Sequence, residues 1–351
     1  MPPHVIKYLY KSGKYLSCIY IQFKQQGENN NMAGIKDVAK LAGVGVGTVS
    51  RVLNKSGYVS QPVIERVNQA MKELKYTPNF SARSLKTQKT NLIGLFVPTI
   101  YHPFFCAIAQ QLESLLDKEG YKLMLVCSQD SVEKENSVIS LVAQNRMDGA
   151  VFFTHQKHDD ISPEYPIVTM DRHLGEHIPC ITSDNYKSSY SAVEYLISRG
   201  CKKVGYLGGR PGVESEVTYR VKAYLDVMHS RGMEERALFE EVAHGDEKSY
   251  AQKYFDMYGD VDGILVSGDL LALSYYTTAV NAGRKVPEDL KIISYDGVLF
   301  DWQPMPTFTS VKQNLEELAK AIVEQLVNKI NGRPFEQKII IPSSFVLGET
   351  T

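Results

Sequence analysis

From about residue 91 onward, short apolar runs alternate with amphipathic stretches, and no other feature of the chain restricts its fold as much. Apolar runs of strand length lie at 92–97, 122–126, 149–153, 167–170, 203–207, 263–266 and 292–294. Between them come stretches with helical spacing, such as 107–118, 188–198 and 270–282. Strand–helix–strand repeats in this order close into parallel sheets with helices on both faces. No apolar run approaches the roughly 18–20 residues needed to cross a bilayer. The five cysteines are scattered and contain no CxxC pair. That pattern fits a reducing cytoplasm better than a disulfide framework or a zinc site, and no metal or other cofactor is expected.

The segment before residue 91 reads differently. Ile35, Val38, Ala39 and Ala42 recur at helical spacing, Gly43-Val44-Gly45 interrupts, and Val49, Val52 and Leu53 resume the stripe. Two short helices across a glycine turn make a helix-turn-helix at about 35–53. Ala39 is small where the helices cross, Gly43 permits the turn, and Val44 plugs the gap. The second helix then offers Val46, Gly47, Thr48, Ser50 and Arg51 to the major groove and its flanking phosphates, with Asn54 and Tyr58 beyond it. Arg51 is the best base reader, since a guanidinium pairs bidentately with guanine for about 1–3 kcal/mol of discrimination. The same glycines could suggest a dinucleotide loop, but that motif follows a strand, whereas here the preceding residues are helical and charged. A third helix is expected at 61–75, with Ser60 as N-cap, Pro62 in the first turn, and Val63, Val67, Ala70 and Leu74 buried.

Charge separates the same two regions. The whole chain carries a net charge of -1, but residues 32–90 hold ten Lys/Arg against three Asp/Glu, and 91–351 hold 25 against 36. A small basic module ahead of an acidic body is what a polyanion-binding head requires. Residues 1–31 lack a signal-peptide cleavage pattern. Gln26-Gly27-Glu28 can be encoded by a GGAG-containing stretch ahead of three Asn codons and Met32, as at a bacterial ribosome-binding site. The expectation is that 1–31 is an untranslated or disordered leader and Met32 the start. An intact N-terminal peptide from upstream of Met32, found by mass spectrometry of the natural protein, would refute it.

Residues Ile35-Lys36-Asp37-Val38-Ala39, Thr48 to Asn54, Tyr76-Thr77-Pro78-Asn79 and Ala82-Arg83-Ser84-Leu85-Lys86 together resemble the headpiece of the LacI/GalR family of repressors. The resemblance runs over about 33–351. It implies an all-α helix-turn-helix headpiece at 32–78, a hinge helix or linker at 79–90, and a two-lobed, periplasmic-binding-protein-like (type I) α/β effector domain at 91–351. It also implies a homodimer on double-stranded operator DNA, with two hinge helices in the minor groove. There Leu85 would be an apolar wedge, Ala82 would lie close by and Lys86 near the phosphates.

Ligands of such sheets bind beyond the carboxyl ends of strands. Polar groups suited to a sugar follow several apolar runs here: Asp171-Arg172, Ser183-Asp184-Asn185, Ser267-Gly268-Asp269 and Ser294-Tyr295-Asp296-Gly297. Carboxylates accept from hydroxyls and arginine donates to them. The resemblance places Phe104, Phe105, Arg220 and Asp296 in the effector pocket, with Ser128, Asp171, Arg172 and Asp269 as additions. Ile293 to Gly297 and Val346 to Thr350 look most like sucrose-operon repressors, which implies sucrose, a fructose-type sugar or its phosphate as inducer. The family more commonly has Asp or Asn after Asp296 and an Arg near Gly348.

Other readings fit less well. A co-repressor, with the opposite sign of control, or a non-sugar effector keeps the same architecture. A sugar-uptake protein would leave the basic head unexplained. For an enzyme, 208–212 lacks the Lys-Ser/Thr of a phosphate loop and no GxSxG occurs. His155, His158, His173 and His177 read as solvated surface histidines rather than as metal ligands.

Overall fold

The computed structural model describes residues 7–12, 15–20, 33–54, 56–77, 89–129, 131–154, 158, 161–209, 215–240, 242, 245–298 and 306–351. The chain divides into two compact units, Met1–Phe80 and Ser81–Thr351.

In the first unit, strands β1 (Lys7–Ser12) and β2 (Tyr15–Tyr20) pair antiparallel. Three helices follow: α1 (Ile35–Ala42), α2 (Val46–Asn54) and α3 (Gln61–Glu73). Their shared core is small: Val38, Ala39, Ala42, Val49, Val67 and Ala70, flanked by half-buried Val44, Val52, Leu53 and Val63. Ser60 occupies the N-cap of α3 with extended backbone and Pro62 follows in the first turn, but the Ser60 side chain makes no capping bond.

The second unit contains two six-stranded sheets. Lobe 1 is built on β3 (Leu92–Val97), β4 (Lys122–Cys127), β5 (Gly149–Phe152), β6 (Ile167–Met170), β7 (Cys180–Ser183) and β13 (Lys338–Ile341). Its strand order is β13-β7-β6-β5-β3-β4, parallel throughout. Lobe 2 is built on β8 (Val204–Gly209), β9 (Ala237–Glu240), β10 (Gly263–Val266), β11 (Lys291–Asp296), β12 (Thr309–Lys312) and β14 (Ser344–Val346). Its order is β14-β12-β11-β10-β8-β9, with only β14 antiparallel.

Both faces of each sheet are covered, as runs of unbroken apolar residues demand. On β3, Ile93, Leu95 and Val97 point to one side, where α4 (Pro103–Lys118) and α10 (Leu315–Ile330) pack through Ile108, Leu112, Leu318 and Ile322. Phe96 points to the other face and stacks on Phe152 at 4.3 Å, beneath α5 (Val132–Ala143). Lobe 2 repeats the scheme. Ile264, Val266 and Ile292 face α8 (Glu247–Tyr258) and α9 (Asp269–Asn281), whereas Leu265, Ile293 and Tyr295 face α6 (Asn185–Ser198) and α7 (Thr218–Arg231).

Among the described residues the chain passes between lobes three times: between β7 and α6, between β12 and α10, and between β13 and β14. These crossings lie at the carboxyl ends of β7, β12 and β13, so the strand ends of both lobes converge there. Ser183 and Gln313, from two of the crossings, are hydrogen-bonded at 2.5 Å.

Candidate DNA-reading helix and ligand site

In the first unit the turn between α1 and α2 depends on Gly43, whose φ of 64° lies in the left-handed region that a glycine enters without a Cβ penalty. Its N–H closes α1 on the carbonyls of Ala39 and Lys40, and Val44 N–H returns to Ala39 at 3.0 Å. With α2 so placed, Val49 is buried, and Val46, Gly47, Arg51 and Asn54 are exposed. Positions 47, 51 and 54 share one face through their spacing of four and three. Thr48 and Ser50 are half-buried, and the Asn54 amide donates to Ser50 Oγ at 3.2 Å. Tyr58, beyond the helix, is 92% exposed. The arrangement presents Arg51 as the cation on a helical face that otherwise carries small and uncharged residues. Ala82, Leu85 and Lys86 lie outside the described residues.

In the second unit the converging strand ends hold a buried polar network. Arg220, on the first turn of α7, is 4% exposed. Its Nε donates to Asn185 Oδ1 at 2.7 Å, and its guanidinium lies over the Tyr295 ring, 3.6 Å from the centroid. Nη1 points towards Ser267 Oγ at 3.4 Å and sits 3.8 Å from Asp296 Oδ1. The Tyr295 hydroxyl is tied to Ser188 Oγ at 3.0 Å, which fixes the ring under the guanidinium. Asp296 accepts from Gln313 Nε2 at 2.7 Å. Asp171, at the end of β6, accepts from Thr182 Oγ1 at 2.5 Å, and Thr182 in turn accepts from Asn185 Nδ2 at 3.0 Å.

Two of these acidic residues have left-handed backbone, Asp171 at φ 59° and Asp296 at φ 97°. Such conformations cost on the order of 1–3 kcal/mol in a non-glycine residue and persist only where surrounding bonds impose them. Gly297 follows Asp296 at φ 67°, and the chain there presses on β12: a Cβ would fall 2.9 Å from Lys312 Cα.

Burial works against the Arg220 charge, but Tyr295, Asp296 and Asp171 outweigh it and raise its pKa above the ordinary arginine value. Asp269 responds in the opposite sense. Burial, with the Asp296 charge beside it, pushes its carboxyl up to about 7, although Val298 N–H donates to it at 2.7 Å. The site therefore sets the permanent Arg220 cation against buried carboxylates, one of which, Asp269, has its pKa raised. Acceptors of this kind take hydroxyl protons, and the guanidinium supplies donors, as recognition of a polyhydroxy compound requires.

The structure brings together Asp171, Arg220, Asp269 and Asp296 among the residues expected from sequence. Arg172 is buried beside them, and its Nη1 donates to Ser215 Oγ and to the Asp171 carbonyl. Phe104 packs in the lobe 1 core, and Phe105 is half-buried against Phe153 at 6.0 Å. Ser128 is fully buried after β4. Asn185, Thr182, Gln313 and Tyr295 join the site although none was singled out as a ligand residue. The polar endings at 183–185 and 294–297 carried part of that signal, but Gln313 follows a strand too short and polar to be seen. His102 is a further addition. The Cβ that Gly268 lacks would sit 3.8 Å from Asp296 Oδ2 and 3.9 Å from His102 Nε2, so lobe 1 contributes an imidazole opposite that carboxylate.

One histidine reading is overturned. His158 is not a solvated surface residue: its Nε2 lies 2.5 Å from the fully buried Glu135 carboxylate and its Nδ1 3.1 Å from Asn136 Oδ1. Nothing in the apolar periodicity of 132–143 revealed a buried glutamate needing that partner. His155 lies outside the described residues.

Residues 34–79 match the model of bacterial regulatory proteins, lacI family, and 193–351 match a periplasmic binding protein-like domain. The chain is 31% identical to the ribose operon repressor of Halalkalibacterium halodurans over 325 residues, covering 91% of this chain and 97% of that protein. It is 32% identical to the sucrose operon repressor of Streptococcus mutans, covering 91% and 99% respectively. A Lac repressor dimer bound to operator and the anti-inducer ONPF superposes with a TM-score of 0.78 at 22% identity, over 91% of this chain and 98% of that one.

Proposed function

The chain belongs to the lacI family of bacterial regulatory proteins, and we propose that it is a homodimeric, cytoplasmic repressor of a carbohydrate-utilisation operon, without enzymatic activity. The observation that carries this reading is the division of labour between two arginines. Arg51 stands exposed on a helix suited to the major groove, and Arg220 lies buried among carboxylates at the strand ends of a two-lobed domain.

Headpiece 32–78, hinge 79–90 and effector domain 91–351 act in series in this reading. Val46, Gly47, Thr48, Ser50, Arg51, Asn54 and Tyr58 meet the major groove and its phosphates, and Leu85, with Ala82 and Lys86, enters the minor groove. Asp171, Arg220 and Asp296, with Asp269, Arg172, Ser128, Phe104 and Phe105 around them, take a sugar acting as inducer. We favour sucrose or a fructose-type sugar because of the motif at Ile293 to Gly297. Ribose is the principal competitor, since ribose operon repressors are equally similar. A ligand shifts operator affinity only as far as it prefers one lobe arrangement to the other.

Fluorescence anisotropy with the DNA upstream of its own gene tests this, with sucrose, fructose, their phosphates or ribose added in turn. A specific complex dissociated by one sugar is expected, with affinity falling steeply with salt as phosphate contacts are screened. Absence of a specific complex refutes the reading, and tighter binding with sugar reverses the sign of control.

A further inference from the structure

A second charged cluster joins the lobes outside the ligand network. Glu216, just before α7 in lobe 2, has a side chain only 7% exposed. Its Oε1 accepts from His173 Nε2 at 2.6 Å and from Lys338 Nζ at 2.7 Å. Both partners belong to lobe 1: His173 follows β6, and Lys338 is the first residue of β13. The backbone repeats the connection. Glu216 N–H donates to the Asp171 carbonyl at 2.9 Å, and Ser215 pairs with Arg172 in an isolated antiparallel bridge while accepting from its guanidinium. Two adjacent residues of lobe 2 thus hold three adjacent residues of lobe 1.

We propose that Glu216, His173 and Lys338 form an interlobe clasp that positions the ligand site without touching the ligand. The clasp acts through Asp171. That residue is held in left-handed backbone, its carbonyl is tied to Glu216, and its side chain bonds Thr182. Thr182 bonds Asn185, and Asn185 bonds Arg220. Opening the clasp frees Asp171, which connects through Thr182 and Asn185 to the buried guanidinium of lobe 2. Burial alone would favour a neutral Glu216, but its two donors hold the carboxyl below the usual range, so the clasp is ionic. Lys338 and His173 are 40% and 34% exposed, so solvent and salt reach the cationic half.

The test uses the ligand-free full chain, with no sugar and no DNA, so it stands apart from the repressor reading. Donor and acceptor dyes are placed through unnatural amino acids at exposed Lys118 in lobe 1 and Met257 in lobe 2. Single-molecule energy transfer then gives the ratio of closed to open molecules. Glu216→Gln is expected to lower that ratio about tenfold and Lys338→Met about threefold, the smaller figure reflecting the exposure of the lysine. Lys338→Arg restores the cation and with it the wild-type distribution, and raised salt reproduces Lys338→Met. A role in packing alone would lower the melting temperature and leave the distribution unchanged. If both charge-removing variants keep the wild-type ratio, the clasp is refuted. Lys338→Met alone decides the matter if Glu216→Gln does not fold.

Discussion

Arg51 and Arg220 show how differently the two units expose their chemistry. In the headpiece the functional candidates sit on the surface of a thin three-helix core, and the helix presents them without needing them for its own packing. In the effector domain the candidates are themselves buried, 4% exposed for Arg220, 5% for Asp296 and 8% for Asp171, between four extensive apolar clusters. A surface reader can change without disturbing its scaffold. A buried network cannot, because each member satisfies another's charge or hydrogen bond.

The largest expected effect follows from that contrast. Arg220→Met keeps the stem but removes the guanidinium from Asp296, Asn185 and the Tyr295 face. Breaking a buried pair costs about 3–5 kcal/mol. The variant should therefore show no sugar response in calorimetry and a lowered effector-domain melting temperature. Operator affinity in the absence of sugar should stay close to wild type. A variant that still binds sugar normally would remove Arg220 from the site.

Val49→Ala examines the other side. Val49 is fully buried in a core with few other members. Losing two methyl groups there costs about 1.5–3 kcal/mol, a large part of what so small a unit holds. Headpiece unfolding, followed by loss of DNA binding and of helical circular dichroism, is expected while the effector domain melts unchanged. Arg51→Ala should do the reverse: full retention of the headpiece fold, with cognate operator affinity reduced by about 1–3 kcal/mol and base preference relaxed at one position per half-site. Equal loss on cognate and random DNA would make Arg51 a phosphate contact only.

The same contrast explains what could be read in advance. The strands at 92–97, 167–170 and 263–266 were legible to the residue because each is a predominantly apolar run buried on both faces. β7, β9, β12, β13 and β14 were not, since each carries polar or exposed residues and owes its strand conformation to a neighbour already in the sheet. The helix-turn-helix was legible because a glycine in left-handed geometry and a 3.6-residue stripe are local signals. The ligand network was legible where polar residues end an apolar run, as at Asp171, Asn185 and Tyr295-Asp296, and at Arg220 through the family resemblance. Gln313 owes its place to a lobe crossing, and a crossing is a property of chain topology that no local pattern encodes. Nor did local pattern anticipate that Glu135 would be buried and paired with His158.

The smallest effect probes the carboxylates. Asp269 is protonated more readily in the folded chain, at about 7, than in the unfolded chain, where its ordinary value is 3.8. A raised folded-state pKa means that its contribution to stability is fully present below pH 3.8. That contribution is lost as pH rises to about 7, because the unfolded chain releases the proton first. Asp269→Asn is uncharged and still offers an oxygen to Val298 N–H, so it should flatten that part of the stability profile. Urea titrations of the effector domain at intervals between pH 4 and 8 measure it. The change is confined to the slope, and a slope equal to wild type would remove Asp269 as its source. Arg51 offers the matching control: it lies on the exposed face of α2, and Arg51→Ala should leave the same profile unmoved.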